Sequence, residues 1–431
     1  MRKEITFKLK NLKVFKSQLL QWASQFHEVA WLDSNEHSTN YHTYDAILAV
    51  DALTSLKTDY TDAFDQLQEY HKQTGDWLFG YLSYDLKNDV EALSSDNADG
   101  LEFPDLYFFQ PKKLISIKGE NVVFSYLNMV ADEINEDFKK ITRQSVYQDS
   151  PSTEGEVKIK LRIFKDAYYS QVQKMLAHIH RGDIYEANFC QEFYAENTVV
   201  DPLKIYRNLN AISQAPFAAY LRLEDKYLLS ASPERYLLKQ GNKVISQPIK
   251  GTAKRSEQPA EDLDLKNRLK NDAKERAENI MIVDLVRNDL SKSALKGSVE
   301  VEELCEVYSF KQVHQMISTI TALVSENKNP IDIIRETFPM GSMTGAPKVS
   351  AMKIIEDLEA TRRGLYSGAV GYISPENNFD FNVVIRSILY NQSRQFVSYS
   401  VGSAITSKAV PEKEYEECLL KAKAMRQVLE A

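Results

Sequence analysis

An α+β fold is what the 431-residue sequence predicts. Residues 1 to about 145 mix short strands with helices, and from Ile159 onward strands and helices alternate in a chain rich in β-branched and aromatic residues. The length suggests two or three domains, or one large core with an elaboration. A composition of 43% hydrophobic and 26% charged residues is ordinary for a globular protein. The net charge of −8 argues against general nucleic-acid or anionic-membrane binding. No apolar run of about 18 residues exists, and Met1-Arg2-Lys3-Glu4 leads into no apolar segment. A cytoplasmic protein without membrane span or export signal is therefore expected. Cys190, Cys305 and Cys418 lie far apart with no CxxC pair, which suggests reduced, mostly structural thiols.

In chain order, Ile5 to Leu9 and Ala46 to Val50 read as strands, and Ala30 to Ser34 as a core strand plus turn. Tyr60 to Gln73 reads as a helix and Trp77 to Asp85 as an aromatic strand. Asp, Ser, Pro, Thr and Gly cluster in Gln148 to Glu156, the best linker, which separates residues 1–147 from 156–431. No internal repeat or low-complexity tract is present. Asp166 to Arg181 is a helix with Tyr169, Val172, Met175, Leu176 and Ile179 on one side, ended by Gly182. Ile184 to Phe193 is a strand. Ala218 to Leu223 and Lys226 to Ala231 form a hairpin about Glu224-Asp225.

Candidate chemistry begins where that hairpin ends. In Ser232-Pro233-Glu234-Arg235, a carboxylate at a strand end beside proline is placed to be held against a cavity. A salt bridge from Glu234 to Arg235 is the plainer alternative. Gln247 to Thr252 is expected as a loop in which Gly251 lets backbone approach a ligand closely. Lys250 in that loop becomes a nucleophile only if burial or nearby positive charge keeps part of it neutral; an isolated loop lysine is usually just solvated. Phe338 to Lys348 leads into a helix expected from Pro347 to Arg363, with Thr344 or Ser342 as its cap. Such a start either binds an anion or is a plain cap. It is not a P-loop, because Ala346 stands at the second glycine position and Pro347 precedes Lys348. Tyr366 to Ile373 and Asn382 to Tyr390 read as strands. Arg386, among Val383, Val384, Ile385 and Ile388, needs a buried anion, either an acidic side chain or a ligand carboxylate.

Glu261 to Asp289 contains neither Gly nor Pro and reads as one helix. At about 100° per residue, Glu275 and Glu278 lie roughly 60° apart on a face continued by Ile282, Leu285 and Val286. Near the C-terminus, Glu414, Glu417 and Lys421 share a similar arc beside the stripe Tyr415, Cys418, Ala422, Met425 and Leu429, while Glu416 turns to solvent. Carboxylates about 4 Å apart would repel by about 4 kcal/mol per pair at an effective dielectric of about 20. A hard divalent cation such as Mg²⁺ would remove that cost if the pairs converge. Two ordinary amphipathic flanks fit the same spacing.

Taken together and in order, these motifs resemble the chorismate-utilising enzymes over residues 156 to 431. Pro248-Ile249-Lys250-Gly251-Thr252 is similar to the aminodeoxychorismate-forming members, whereas anthranilate synthases have Ala at the Lys250 position. Isochorismate and salicylate synthases carry a water-activating Lys where this chain has Glu186, within Ile184-Tyr185-Glu186-Ala187-Asn188. The resemblance implies a large α/β sandwich of two antiparallel sheets packed face to face with flanking helices. It implies an N-terminal segment of anthranilate synthase component I type over 1–147 and a chorismate-binding core over 156–431. Glu278 and Glu417 match Mg²⁺ ligands, with Glu275 and Glu414 contributing directly or through water. Tyr366, Arg386, Lys421 and the backbone at Gly402-Ser403 match groups that bind chorismate carboxylates; Ser403 departs from the Gly often found there. Gly251, Thr252, His314 and Thr344 would line the same cavity.

The implied reaction uses Glu234 as general acid to the departing C4 hydroxyl and Lys250 as the nucleophile adding at C2. Ammonia from a separate glutamine amidotransferase subunit then enters at C4, giving 4-amino-4-deoxychorismate for 4-aminobenzoate and folate synthesis. The alternative is the reaction of anthranilate synthase component I. Asp33-Ser34 and Pro216-Phe217 also resemble segments that bind tryptophan in anthranilate synthase.

Overall fold

The structure, a computed structural model, describes residues 1–37, 41–145, 157–311 and 313–431. The expected linker Gln148 to Glu156 lies outside the described residues. Among the described residues, twenty strands join one hydrogen-bonded network. Two long strands, Ala46–Thr58 and Leu106–Lys118, pair along their length, with a register shift between Ala52 and Thr54. The far edge of Leu106–Lys118 takes Leu78–Leu82 near one end and Asn121–Leu127 near the other. The sheet divides there into two halves.

One half continues from Ala46–Thr58 through Glu28–Asp33, Phe217–Leu223, Lys226–Ser232, Ser387–Asn391 and Phe396–Thr406 to Glu186–Ala195. The other continues from Leu78–Leu82 through Ala369–Ile373, Phe379–Val383, Arg235–Gln240 and Lys243–Gln247 to Val313–Leu323. Side chains alternate between faces with the period of two that a strand imposes. Ala219, Leu221 and Leu223 enter one core with Leu237, Val244, Ile320 and Phe381 of the other half, while Tyr220 enters a second core. That second core packs the opposite face under helices such as Lys165–Arg181, Pro202–Ser213 and Pro411–Leu429. The result is the expected α+β sandwich of antiparallel sheet with flanking helices. Strands before residue 145 pair directly with strands after 157, as Glu28–Asp33 does with Phe217–Leu223.

Four elements differ from expectation. The run Glu261 to Asp289 is two helices, Pro259–Asn271 and Ala273–Ser291. Asp272 between them is extended, and its carboxylate accepts from the Lys274 and Glu275 N–H groups at 2.9 and 3.0 Å. An aspartate competes with the helix backbone and prefers this cap. Gln247 to Thr252 is not a loop: Lys243–Gln247 and Ile249–Lys254 both pair with Val313–Leu323, the latter with a register shift between Ile249 and Thr252. Gly251 sits there at φ 100, a conformation that other residues rarely adopt.

The helix expected over Pro347 to Arg363 covers only Lys348–Leu358, with no side-chain cap. The Thr344 hydroxyl donates instead to the Gly341 carbonyl at 3.2 Å. Finally, Asn382 to Tyr390 is not continuous, because Phe379–Val383 and Ser387–Asn391 are separated by Arg386 at φ 53.

Past the short helix, Glu359 and Arg363 form a buried pair at 2.8 Å. Glu359 also accepts from the Cys190 N–H at 2.8 Å, and Arg363 donates to the Asn188 and Met343 carbonyls at 2.7 and 2.6 Å. Both backbone and charge are satisfied, so the pair holds the strand Glu186–Ala195 in place. Glu359→Ala is expected to destabilise the protein by about 3–5 kcal/mol, since it strands a buried guanidinium. Urea titration measures this, and a loss below about 1 kcal/mol would show that water replaces the carboxylate.

Candidate active site

The chain passes from one sheet half to the other at Pro233-Glu234, between Lys226–Ser232 and Arg235–Gln240, and returns at Val384-Ile385-Arg386. These two crossings hydrogen-bond each other: the Val383 N–H donates to the Glu234 carbonyl at 3.0 Å and the Ala231 N–H to the Arg386 carbonyl at 3.2 Å. Glu234 is only 4% exposed. Arg235 pairs with Asp380 at 3.0 Å, which removes it as a partner for Glu234. Burial pushes the Glu234 carboxyl up to about 7, although hydrogen bonds from Ser342 and the Ile249 N–H, and the charge of Lys250, pull the other way. A carboxylic acid protonated near neutral pH is a general acid in waiting.

Lys250 projects from Ile249–Lys254 to the start of Glu186–Ala195, where its ammonium lies 2.6 Å from Glu186 Oε1. Burial acts to lower the Lys250 pKa, but the charge and hydrogen bond of Glu186, with Glu278 and Glu417 beyond, raise it above the ordinary lysine value. The partner that favours the ammonium form is a carboxylate 64 residues away in sequence. Asn279 donates to the Lys250 carbonyl at 3.1 Å. A Cβ at Gly251 would lie 3.1 Å from Glu275 Oε2 and 3.3 Å from Met316 Cβ, tighter than ordinary contact, so glycine eases the close approach of this strand.

The acidic residues come from two helices, Ala273–Ser291 and Pro411–Leu429. Burial raises the carboxyl pKa values of Glu275, Glu278 and Glu414, with like charge adding to each. Burial also acts to raise Glu417, but the Lys421 ammonium at 2.6 Å outweighs it and lowers the pKa. The helices sense each other: Glu417 repels Glu275, and Lys274 attracts Glu414 and Glu417. Lys274 Nζ lies 3.6 Å from Glu278. As these side chains stand, no three acidic, His or Cys groups among the described residues close around one metal position. The donors themselves, four carboxylates with a surplus of negative charge, are of the hard oxygen type that suits Mg²⁺.

Arg386 and Lys421 line a cavity of about 520 Å³ together with Pro233, Gln315 and Met425. No ion pair to Arg386 occurs among the described residues; burial lowers its pKa, while the charge of Glu417 acts the other way. The remaining candidates are engaged. Lys421 donates to the Gly402 carbonyl at 2.8 Å, and the Ser403 hydroxyl donates to Glu414. Tyr366 hydrogen-bonds Cys190, and His314 contacts Ser309 at 2.9 Å and Asp262 at 3.0 Å through its two ring nitrogens. Thr252 is exposed. A second cavity of about 600 Å³ brings Asp33-Ser34 together with Pro216-Phe217.

Glu186 as a partner of Lys250, Asn279 and Lys274 were not among the candidates read from sequence, and Ser342 was read only as a helix cap. Lys274 was legible, standing four residues before Glu278. Glu186 and Asn279 were not, since their partners are distant in sequence.

Comparison with known proteins yields one family, described as chorismate binding enzyme, which matches residues 21–427. A protein of Oryza sativa subsp. japonica named "Probable aminodeoxychorismate synthase, chloroplastic" is 36% identical over 388 residues, 81% of this chain. This chain spans only 43% of that relative's length. Anthranilate synthase component 1 of Thermus thermophilus is 33% identical over 366 residues, covering 82% of this chain and 77% of its own. The crystal structure of anthranilate synthase component I from Streptococcus pneumoniae superposes with a TM-score of 0.79 at 25% identity, over 90% of this chain and 94% of that one.

The raised Glu234 carboxyl carries a stability prediction. The folded protein holds this proton up to about pH 7, whereas the unfolded chain releases it near the ordinary glutamic acid value of 4.5. Stability from this group is therefore full below about pH 4.5 and declines as pH rises through about 7. Glu234→Gln, which cannot ionise, is expected to be more stable than the unmodified protein at pH 8 by about 3 kcal/mol, with the difference vanishing near pH 4. Denaturant titrations at the two pH values test it; equal stability at pH 8 would show that Glu234 ionises without cost.

Proposed function

The chain belongs to the family of chorismate binding enzymes, and from that premise we propose that it acts as aminodeoxychorismate synthase component I. It converts chorismate and ammonia into 4-amino-4-deoxychorismate, in the cytoplasm, on the route to 4-aminobenzoate and folate. A separate glutamine amidotransferase subunit supplies the ammonia. The observation that carries this reading is Lys250, half-buried beside Glu186 and within electrostatic reach of Glu234. A lysine at this point of the Pro-Ile-Lys-Gly-Thr motif offers a nucleophile that alanine does not.

In this reading Arg386 and Lys421 receive the substrate carboxylates in their cavity. Glu234 donates its proton to the C4 hydroxyl, which leaves as water, while the Lys250 amine forms a bond to C2. Ammonia then bonds to C4 and the bond from C2 to Lys250 breaks. Mg²⁺ would be held by Glu278 and Glu417, with Glu275 and Glu414, and would polarise the ring carboxylate of chorismate. The second reading, anthranilate synthase component I, is favoured by the similarity to enzymes of that name.

Mass spectrometry of the product from chorismate, Mg²⁺ and ammonium decides between them, with anthranilate fluorescence as the second readout. Lys250→Ala is expected to lose most aminodeoxychorismate formation while still binding chorismate. Undiminished product from that variant would make Lys250 a binding residue only. Glu417→Gln is expected to abolish Mg²⁺-dependent turnover without unfolding the protein; normal Mg²⁺ dependence would show that the two helices do not share a cation. The cavity at Asp33-Ser34 and Pro216-Phe217 is proposed to take an aromatic amino acid, and calorimetry with tryptophan showing no heat would retire that assignment.

A further inference from the structure

The proposed mechanism requires Lys250 as a free amine, yet its surroundings favour the ammonium. The proton must pass to an acceptor within hydrogen-bond reach before the bond to C2 can form. Glu186 meets that requirement. Its Oε1 lies 2.6 Å from the Lys250 Nζ, and the residue is 2% exposed. Its other oxygen, Oε2, is buried with no hydrogen-bond partner among the described residues. Glu278 and Glu417 face Lys250 from the two acidic helices and act on it only through space. Glu234 is itself pushed up to about 7 by burial and feels the Lys250 charge only through space.

We propose that Glu186 is the general base of the covalent step, taking the Lys250 proton as Nζ bonds to C2 of chorismate. The assignment rests on Lys250 being the nucleophile. Its balance is complete. Glu186 gains the proton that the ammonium loses, the Nζ lone pair forms the bond to C2, and the two ring double bonds shift towards C4. The C4–O bond breaks, and the hydroxyl departs as water with the Glu234 proton. Ammonia next bonds to C4, the double bonds shift back, and the C2–N bond breaks to release the amine. The new C4 ammonium returns a proton to Glu234, and Glu186 returns its own to Lys250.

Two variants of the full chain test this, with chorismate, Mg²⁺ and ammonium. Glu186→Gln keeps the shape without the base, and Glu186→Ala leaves room for an added carboxylate. Both are expected to lose about a hundredfold or more in kcat, with KM for chorismate changed by less than about threefold. Formate is expected to restore about tenfold or more of the lost rate to Glu186→Ala and none to Glu186→Gln. Mass spectrometry of quenched reactions without ammonia should show the Lys250 adduct forming more slowly in both variants. A Glu186→Gln enzyme as fast as the unmodified one, or faster, would overturn the proposal, because Glu186 would then only restrain Lys250 as an ammonium. Loss without formate rescue, or adduct formation at the unmodified rate, would overturn it equally. If the unmodified enzyme forms neither the adduct nor aminodeoxychorismate, the functional reading itself fails, and that result is separate from any behaviour of the variants.

Discussion

The seam between the two halves of the sheet is the constraint on which the site depends. Antiparallel pairing fixes neighbouring strands to within a residue, and a slip of one residue would turn every side chain to the wrong face. At the seam the chain leaves one half at Glu234 and returns at Arg386, and the two crossings hold each other through main-chain hydrogen bonds. The Lys250–Glu186 ion pair spans the same junction, with Glu186 from one half and Lys250 from the other. Each half also carries one acidic helix: Ala273–Ser291 packs on Ile249–Lys254 and Val313–Leu323, and Pro411–Leu429 on Phe396–Thr406. Acid, amine, guanidinium and carboxylates therefore meet because the halves meet.

Charge burial then sorts these groups into different states. Glu234 has no cation at hydrogen-bond distance, so burial dominates and its carboxyl stays protonated to about pH 7. Glu417 lies nearly in contact with Lys421 and stays ionised. Lys250 keeps its proton because a carboxylate 2.6 Å away outweighs the penalty of burial. At an effective dielectric of about 20, opposite charges at such distances attract by several kcal/mol, enough to reverse a shift that burial alone would cause. Environment, rather than residue type, distinguishes an acid from a base among these carboxyl groups.

This explains what the sequence disclosed and what it withheld. The facing of Glu275 with Glu278 depends only on helical geometry, so it was legible without any partner. The α+β class followed from the alternation of strand and helix patterns. The break at Asp272 was hidden because its helix-forming neighbours carry the periodicity through it, and only the cap hydrogen bonds reveal the turn. Arg386 looked strand-borne because its neighbours are apolar and β-branched; its positive φ reflects the crossing between halves, which is a tertiary fact. The partner of Lys250 was hidden for the same reason. Its local surroundings, Ile249 and Gly251, suggest burial, while the deciding charge is on another strand.

Arg386 takes this reasoning one step further. A guanidinium removed from water is costly unless an anion or several acceptors receive it. Among the described residues no acidic side chain forms an ion pair with it, and Glu417, the carboxylate that most favours its charge, is already engaged by Lys421. Of the two anions that the sequence left open for Arg386, a ligand carboxylate is the partner proposed for it, since no acidic side chain among the described residues forms an ion pair with it. Its backbone is fixed by the hydrogen bond to Ala231, one strand-end away from Glu234. A carboxylate bound at Arg386 would therefore be held at a set distance from the proton that Glu234 carries, and orientation of substrate against acid would come from the sheet crossing itself rather than from a mobile loop.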